Sequence, residues 1–200
     1  MKQDPIAKLD PAGLKQAPGL PNVIPPSYPR IHDDITLYYL EWGRAWGMWR
    51  LLNRMVKDNA RLHDNITTKF GLLEGLMTLG REAEAGRLDP LQPPVGEKMC
   101  RFWAKCLSER DLIILGRRAT KVRNELIDAQ LALRHAAEFV AARMQTTSKM
   151  TNPFHIVLLY EECITWLNWA KRKHDLAMQN LSALLHTVDH LALEKYKCKE

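Results

Sequence analysis

Beyond residue 31 the apolar positions alternate in steps of three and four for most of the chain. Ile35, Trp42, Trp49, Val56, His63, Phe70 and Met77 stand at strict sevens, and Tyr38, Ala45, Leu52, Asn59, Ile66, Leu73 and Gly80 stand between them. Only Asn59, His63 and Gly80 interrupt an apolar seam, a spacing that puts one stripe along one side of an α-helix. The pattern predicts one long helix over about 33–86, with a bend or break placed, if anywhere, in the polar stretch 57–65. A short helix follows over about 96–107, with Met99, Phe102, Trp103 and Cys106 on one side. The third segment, about 109–146, carries Leu112, Leu115, Ala119, Val122, Leu126, Ala129, Leu133, Ala136 and Val140 without a slip. The last, about 153–198, carries Ile156, Tyr160, Cys163, Leu167, Ala170, His174, Ala177, Leu181, Leu184, Val188 and Leu191.

The breaks between these segments have recognisable chemistry. Asp89-Pro90-Leu91-Gln92-Pro93-Pro94 cannot continue a helix, because prolines lack the donor and restrict the preceding residue. Ser108-Glu109-Arg110-Asp111 reads as a capping-box variant, with Asp111 reaching back to Ser108. Asn152-Pro153 supplies a cap and an N1 proline. At about 1.5 Å per residue the three long helices would each span roughly 55 to 80 Å. The expected fold is therefore all-α: an elongated antiparallel helical bundle with coiled-coil-like seams.

Residues 1–30 form a different region and hold seven of the eleven prolines. Ile6, Leu9, Leu14, Leu20, Val23, Ile24 and Tyr28 are spread among them. An extended proline-rich arm carrying apolar groups suits docking onto a surface, since its preset φ angles reduce the entropy lost on binding. The expected organisation is a docking arm over 1–30 and a helical bundle over 31–200.

Composition adds limits. Hydrophobic residues make up 46% and charged residues 26% of the 200, which is enough for a packed core. The net charge is +6, with its largest local excess over 108–150, a balance compatible with nucleic acid without demanding it. The four cysteines form no C-x-x-C pair, the N-terminus has no apolar signal region, and no run reaches about 18 apolar residues. A non-secreted chain with reduced thiols, in a cytoplasmic or virion setting and without a membrane span, is the resulting expectation.

Chemistry is sparse. Tyr38, Tyr39, Trp42, Trp46 and Trp49 crowd one stretch, with the three tryptophans on one helical face. Such a cluster reads either as a wide core layer or as an interface centre. Together with Pro21, Ile24, Pro25, Pro26 and Tyr28 of the arm it forms the candidate partner interface. Arg110, Arg117, Arg118 and Lys121 are the candidate phosphate contacts of a basic helix face, to be weighed against an ordinary solvated face. His186-Thr187-Val188-Asp189-His190 resembles an H-x-x-E-H zinc pattern, but no third ligand is nearby. His63 and His174 fall on seams, where a buried polar layer can fix register.

No phosphate loop, di-iron E-x-x-H pair or nucleophile elbow occurs. No catalytic residue, cofactor or metal is assigned. The sequence reading is a non-enzymatic structural subunit that packs into a capsid, filament or multi-subunit complex, as a homo-oligomer or with other protein subunits. The alternative is a helical module that binds nucleic acid.

Overall fold

A computed structural model describes residues 32–96 and 98–197, with side chains from residue 36 onward. The proline-rich residues 1–30, with Pro21, Ile24, Pro25, Pro26 and Tyr28, and Cys198 lie outside the described residues. All regular structure among the described residues is helical: α1 (His32–Thr67), α2 (Phe70–Glu84), α3 (Lys98–Cys106), α4 (Glu109–Thr147) and α5 (Pro153–Lys197). The chain is an all-α protein whose long helices pack against one another.

Where a single helix was expected over 33–86, there are two. The interruption is a two-residue turn at Thr68 and Lys69, not the polar stretch 57–65, which is helical throughout. The Lys69 amide reaches back only three residues, to the Ile66 carbonyl at 2.9 Å. Thr67 Oγ1 donates to the His63 carbonyl at 3.2 Å and Thr68 Oγ1 to the Asn65 carbonyl at 2.8 Å. Two adjacent threonine hydroxyls thus draw on carbonyls at the end of α1, which tightens the turn and ends the regular ladder.

The other boundaries follow the signals in the sequence. α2 ends on Gly86 at φ +63°. The Gly86 amide donates to Ala83 O at 3.0 Å and the Arg87 amide to Glu82 O at 2.9 Å, the two bonds of a Schellman motif. At the start of α4 the Ser108 amide donates to Asp111 Oδ2 at 3.3 Å, and the Asp111 amide to Ser108 Oγ at 3.3 Å. That is the predicted reciprocal capping box. At the start of α5, Asn152 Oδ1 accepts from the Phe154 amide at 3.0 Å, with Pro153 at N1.

The described chain forms two compact units. The first comprises residues up to Ala60 with Arg134–Trp169. Here the ends of α4 and α5 that flank the short 148–152 connection run antiparallel: Phe139 stacks on Trp166 and, one turn on, Arg143 meets Glu162. α1 is laid onto this hairpin by Tyr38, whose hydroxyl donates to the Thr151 carbonyl at 3.2 Å, and by the Arg44–Glu161 ion pair.

The second unit comprises Arg61–Leu133 with the rest of α5 from Ala170. α4 and α5 are again antiparallel here, as Lys195 meets Asp111 and Asn180 Nδ2 donates to Glu125 Oε2 at 2.7 Å. α2 runs antiparallel to α4 at the closest backbone approach. A Cβ added to Gly80 would lie 2.8 Å from Leu112 O and 2.9 Å from Gly116 Cα. α3 closes on α2 beside Gly75, where an added Cβ would lie 2.4 Å from Cys100 Sγ. The α3 face is rotated from the expected one: Cys100, Trp103, Ala104 and Cys106 are buried, whereas Met99 is exposed. The rotation turns Trp103 Nε1 onto Asp189 Oδ1 at 2.8 Å.

Seam burial agrees with the periodicity most closely in α4 and α5. All nine α4 seam residues are buried, and so are the α5 residues from Ile156 to Val188, leaving Leu191 half-buried beside a buried Ala192. In α1 and α2 the intermediate series Ala45, Leu52, Asn59, Ile66, Leu73 and Gly80 is the buried one. Of the strict-seven series only Trp42 is buried among the described side chains, and His63 is half-buried rather than a core polar. His174, by contrast, is 5% exposed.

Candidate interaction surfaces

The tryptophan stretch occupies the first unit. α1 contributes Trp42, Ala45, Trp46 and Trp49, while the α4–α5 hairpin contributes Met144, Thr147, Ser148, Ile156 and Tyr160. Together they line a half-open, mostly apolar cleft of about 80 Å³. Trp46 and Trp49 meet edge to face at 5.6 Å between centroids, and Tyr38 and Trp42 do so at 6.3 Å. Trp42 and Trp46 are only 2% and 5% exposed, yet neither buried Nε1–H has a hydrogen-bond acceptor among the described residues. An unmatched buried donor costs about 1–3 kcal/mol, so two beside one cleft are notable.

Deeper in the site the Thr147 and Tyr160 hydroxyls are hydrogen-bonded at 3.3 Å. Burial is the main influence on the Tyr160 phenol and pushes its pKa up. Burial likewise pushes the Cys163 thiol up to about 11, with the neighbouring Glu162 carboxylate adding to the effect. A thiol this reluctant to ionise is a core group rather than a nucleophile at neutral pH.

A second surface in the same unit has no counterpart in the sequence reading. Phe154, Leu158, Trp166 and Trp169 of α5 are exposed, at 39%, 61%, 38% and 38%. Successive helical residues are turned by about 100°, so Phe154, Leu158 and Trp169 lie within roughly 60° of one another. That direction is opposite the buried Ile156, Tyr160, Cys163 and Leu167. α5 thus carries large apolar residues on both sides here, with Glu161, Glu162 and Thr165 among those on the outward side. Trp166 and Trp169 meet edge to face at 5.4 Å, and the Arg143 guanidinium lies 5.0 Å from the Phe139 ring. The signal in the sequence is a second row of large apolar residues, weaker than the inward seam beside it.

The basic residues lie in the second unit. Arg110, Arg117, Arg118 and Lys121 are all exposed on α4. Arg117 is ion-paired with Glu84 at 2.5 Å, which neutralises part of that face. The histidine pattern on α5 is brought together only in part. The His186 and His190 rings stack at 6.3 Å, and His190 lies 3.5 Å from Glu194, whereas Asp189 is engaged by Trp103. No group of three or more His, Cys, Asp or Glu residues among the described residues could hold a metal ion. No described helix is long and apolar enough to cross a membrane.

These features define an all-α protein whose described residues include a tryptophan-lined cleft and an outward row of large apolar residues on α5. Comparison with protein-family models, with curated proteins and with solved structures finds no match.

Proposed function

We propose that this chain is a non-enzymatic assembly subunit that associates with a second copy of itself through the outward face of α5. The observation that carries the reading is the exposed row Phe154, Leu158, Trp166 and Trp169, backed by an already satisfied core on the opposite side of the helix. Surface aromatics of this kind are enriched at interface centres and scarce on surfaces that stay in water. The row also suits two-fold pairing. Two antiparallel copies of α5 would place Phe154 and Leu158 of one against Trp169 and Trp166 of the other, and such self-complementary patches are the common basis of dimers. Glu162 at the centre would face its symmetry mate, and Arg143, 3.5 Å from it, supplies the compensating charge.

The test is sedimentation velocity on the full chain and on Leu158→Asp and Trp169→Asp. The expected outcome is an oligomer that dissociates in both variants while helicity is retained. A wild-type chain that stays monomeric at micromolar concentration overturns the reading. The phosphate-binding alternative has less in its favour, since Arg117 is engaged by Glu84. It would show as binding that weakens steeply with salt, whereas apolar association persists as salt rises.

A further inference from the structure

We propose that the tryptophan-lined cleft of the first unit is the receptor for this chain's own proline-rich segment, residues 21–28, with a proline ring seated among the indoles. The carbonyls of the segment would accept from Trp42 Nε1 and Trp46 Nε1. The size of the cleft selects the kind of occupant. At about 80 Å³ it is far below the roughly 300–1,000 Å³ of pockets that hold metabolites. It suits one small ring projecting from a chain that lies across its open side.

The chemistry of the walls points the same way. Three indoles, a tyrosine and aliphatic groups form a mostly apolar surface, and the two buried N–H groups have no acceptor among the described residues. A proline-rich segment offers matching groups. Its rings are apolar, its prolines disfavour the helix or sheet bonding that would occupy its carbonyls, and Pro25 and Pro26 bring no competing N–H. Aromatic-lined grooves that donate to such carbonyls are a recurring mode of recognition for proline-rich chains.

The order of the chain places the segment within reach. α1 rises about 1.5 Å per residue, so Trp42, Trp46 and Trp49 lie roughly 15, 21 and 26 Å along the helix from His32. A polyproline chain advances about 3.1 Å per residue and, folded back from His32, draws level with them after about 5, 7 and 8 residues. Those positions are Ser27, Pro25 and Ile24, with Pro26 among them and Pro21 a turn beyond. The proline run is therefore within reach of the indoles once the chain has reversed direction. A tether this short gives a high effective concentration, which favours the segment of the same chain over that of a second copy.

The experiment uses the full chain and reads exchange of the indole N–H protons by NMR. It compares wild type with a variant carrying Ile24→Gly, Pro25→Gly and Pro26→Gly, with circular dichroism as the check that the helices persist. The expected result is that Trp42 and Trp46 indole protons are protected in wild type and exchange about 10-fold or more faster in the variant, at every protein concentration. Three outcomes overturn the proposal. One is equal exchange in the two proteins; another is a loss of protection shared with Trp103, whose Nε1 is held by Asp189 and reports general loosening. The third is protection that grows with concentration, which assigns the segment to a second copy. As an independent measurement, Trp42→Phe with Trp46→Phe keeps an aromatic ring at each position and removes both donors. Tryptic cleavage after Arg30 should accelerate several-fold in that variant, and an unchanged rate counts against the proposal.

Discussion

At the scale of single residues, identical substitutions have opposite signs according to what lies beside them. Gly47 has nothing within 4 Å of an added Cβ, so Gly47→Ala should stabilise by up to about 1 kcal/mol through helix propensity. Gly80→Ala meets backbone atoms of α4, which cannot rotate away, and should destabilise by about 1–3 kcal/mol despite the same propensity gain. Urea unfolding of the two variants compares them directly. His174 gives a second case. It is buried at a seam position, its Nδ1 lies 3.0 Å from Asp175 Oδ1, and its Nε2 has no partner among the described residues. His174→Leu should raise stability by about 1–2 kcal/mol, because it removes an unsatisfied buried polar atom and fills the seam. A lower urea midpoint would instead assign the imidazole a required partner. The sequence marked both Gly80 and His174 as exceptions in apolar seams. It did not tell which exception is a close backbone approach and which an unmatched polar atom.

At the scale of elements, the capping box at the start of α4 also acts as a clasp. Asp111 bonds back to Ser108 and pairs with Lys195 near the end of α5, so one carboxylate ties two helix ends of the second unit. Lys195 is the larger influence and Ser108 the next; both favour the ionised form and hold the Asp111 carboxyl below its ordinary value of 3.8. A lowered folded-state pKa means the unfolded chain takes up the proton first. The stabilisation is therefore fully present above about pH 4 and is lost as pH falls through the depressed value. Thermal unfolding from pH 6 to 2 should show this loss, and Asp111→Asn should be less stable at pH 6 and flatter across the acid range. The cap was legible because it is local, residues 108 to 111. The Lys195 partner was not, because 84 positions separate it from Asp111.

At the scale of the whole molecule, the proposed association rests on α5 having two apolar sides. A helix with one such side is accounted for by its own core; the second side in the first unit is partly open to solvent, with Trp166 resting on Phe139. If the outward row drives assembly, oligomer stability should change little between low and high salt, because burial of apolar area is not screened as charge contacts are. Sedimentation at several salt concentrations measures this, and dissociation at high salt would point to ionic contacts instead.

The sequence by itself determined the helical class, the breaks at the Pro90 stretch and at Thr146–Pro153, the caps at Ser108 and Asn152, and the inward stripe of α4 and α5. Each depends on residues within one or two turns, where spacing and hydrogen-bonding groups act without reference to the rest of the chain. Tertiary structure decided what periodicity leaves open. It set which of the two α1 series faces inward, rotated α3 so that Trp103 reached Asp189, and brought Gly80 against Gly116. It also left two indole donors buried beside a cleft. Such outcomes depend on the shape and polarity of a facing element, and that element lies tens of residues away in the chain.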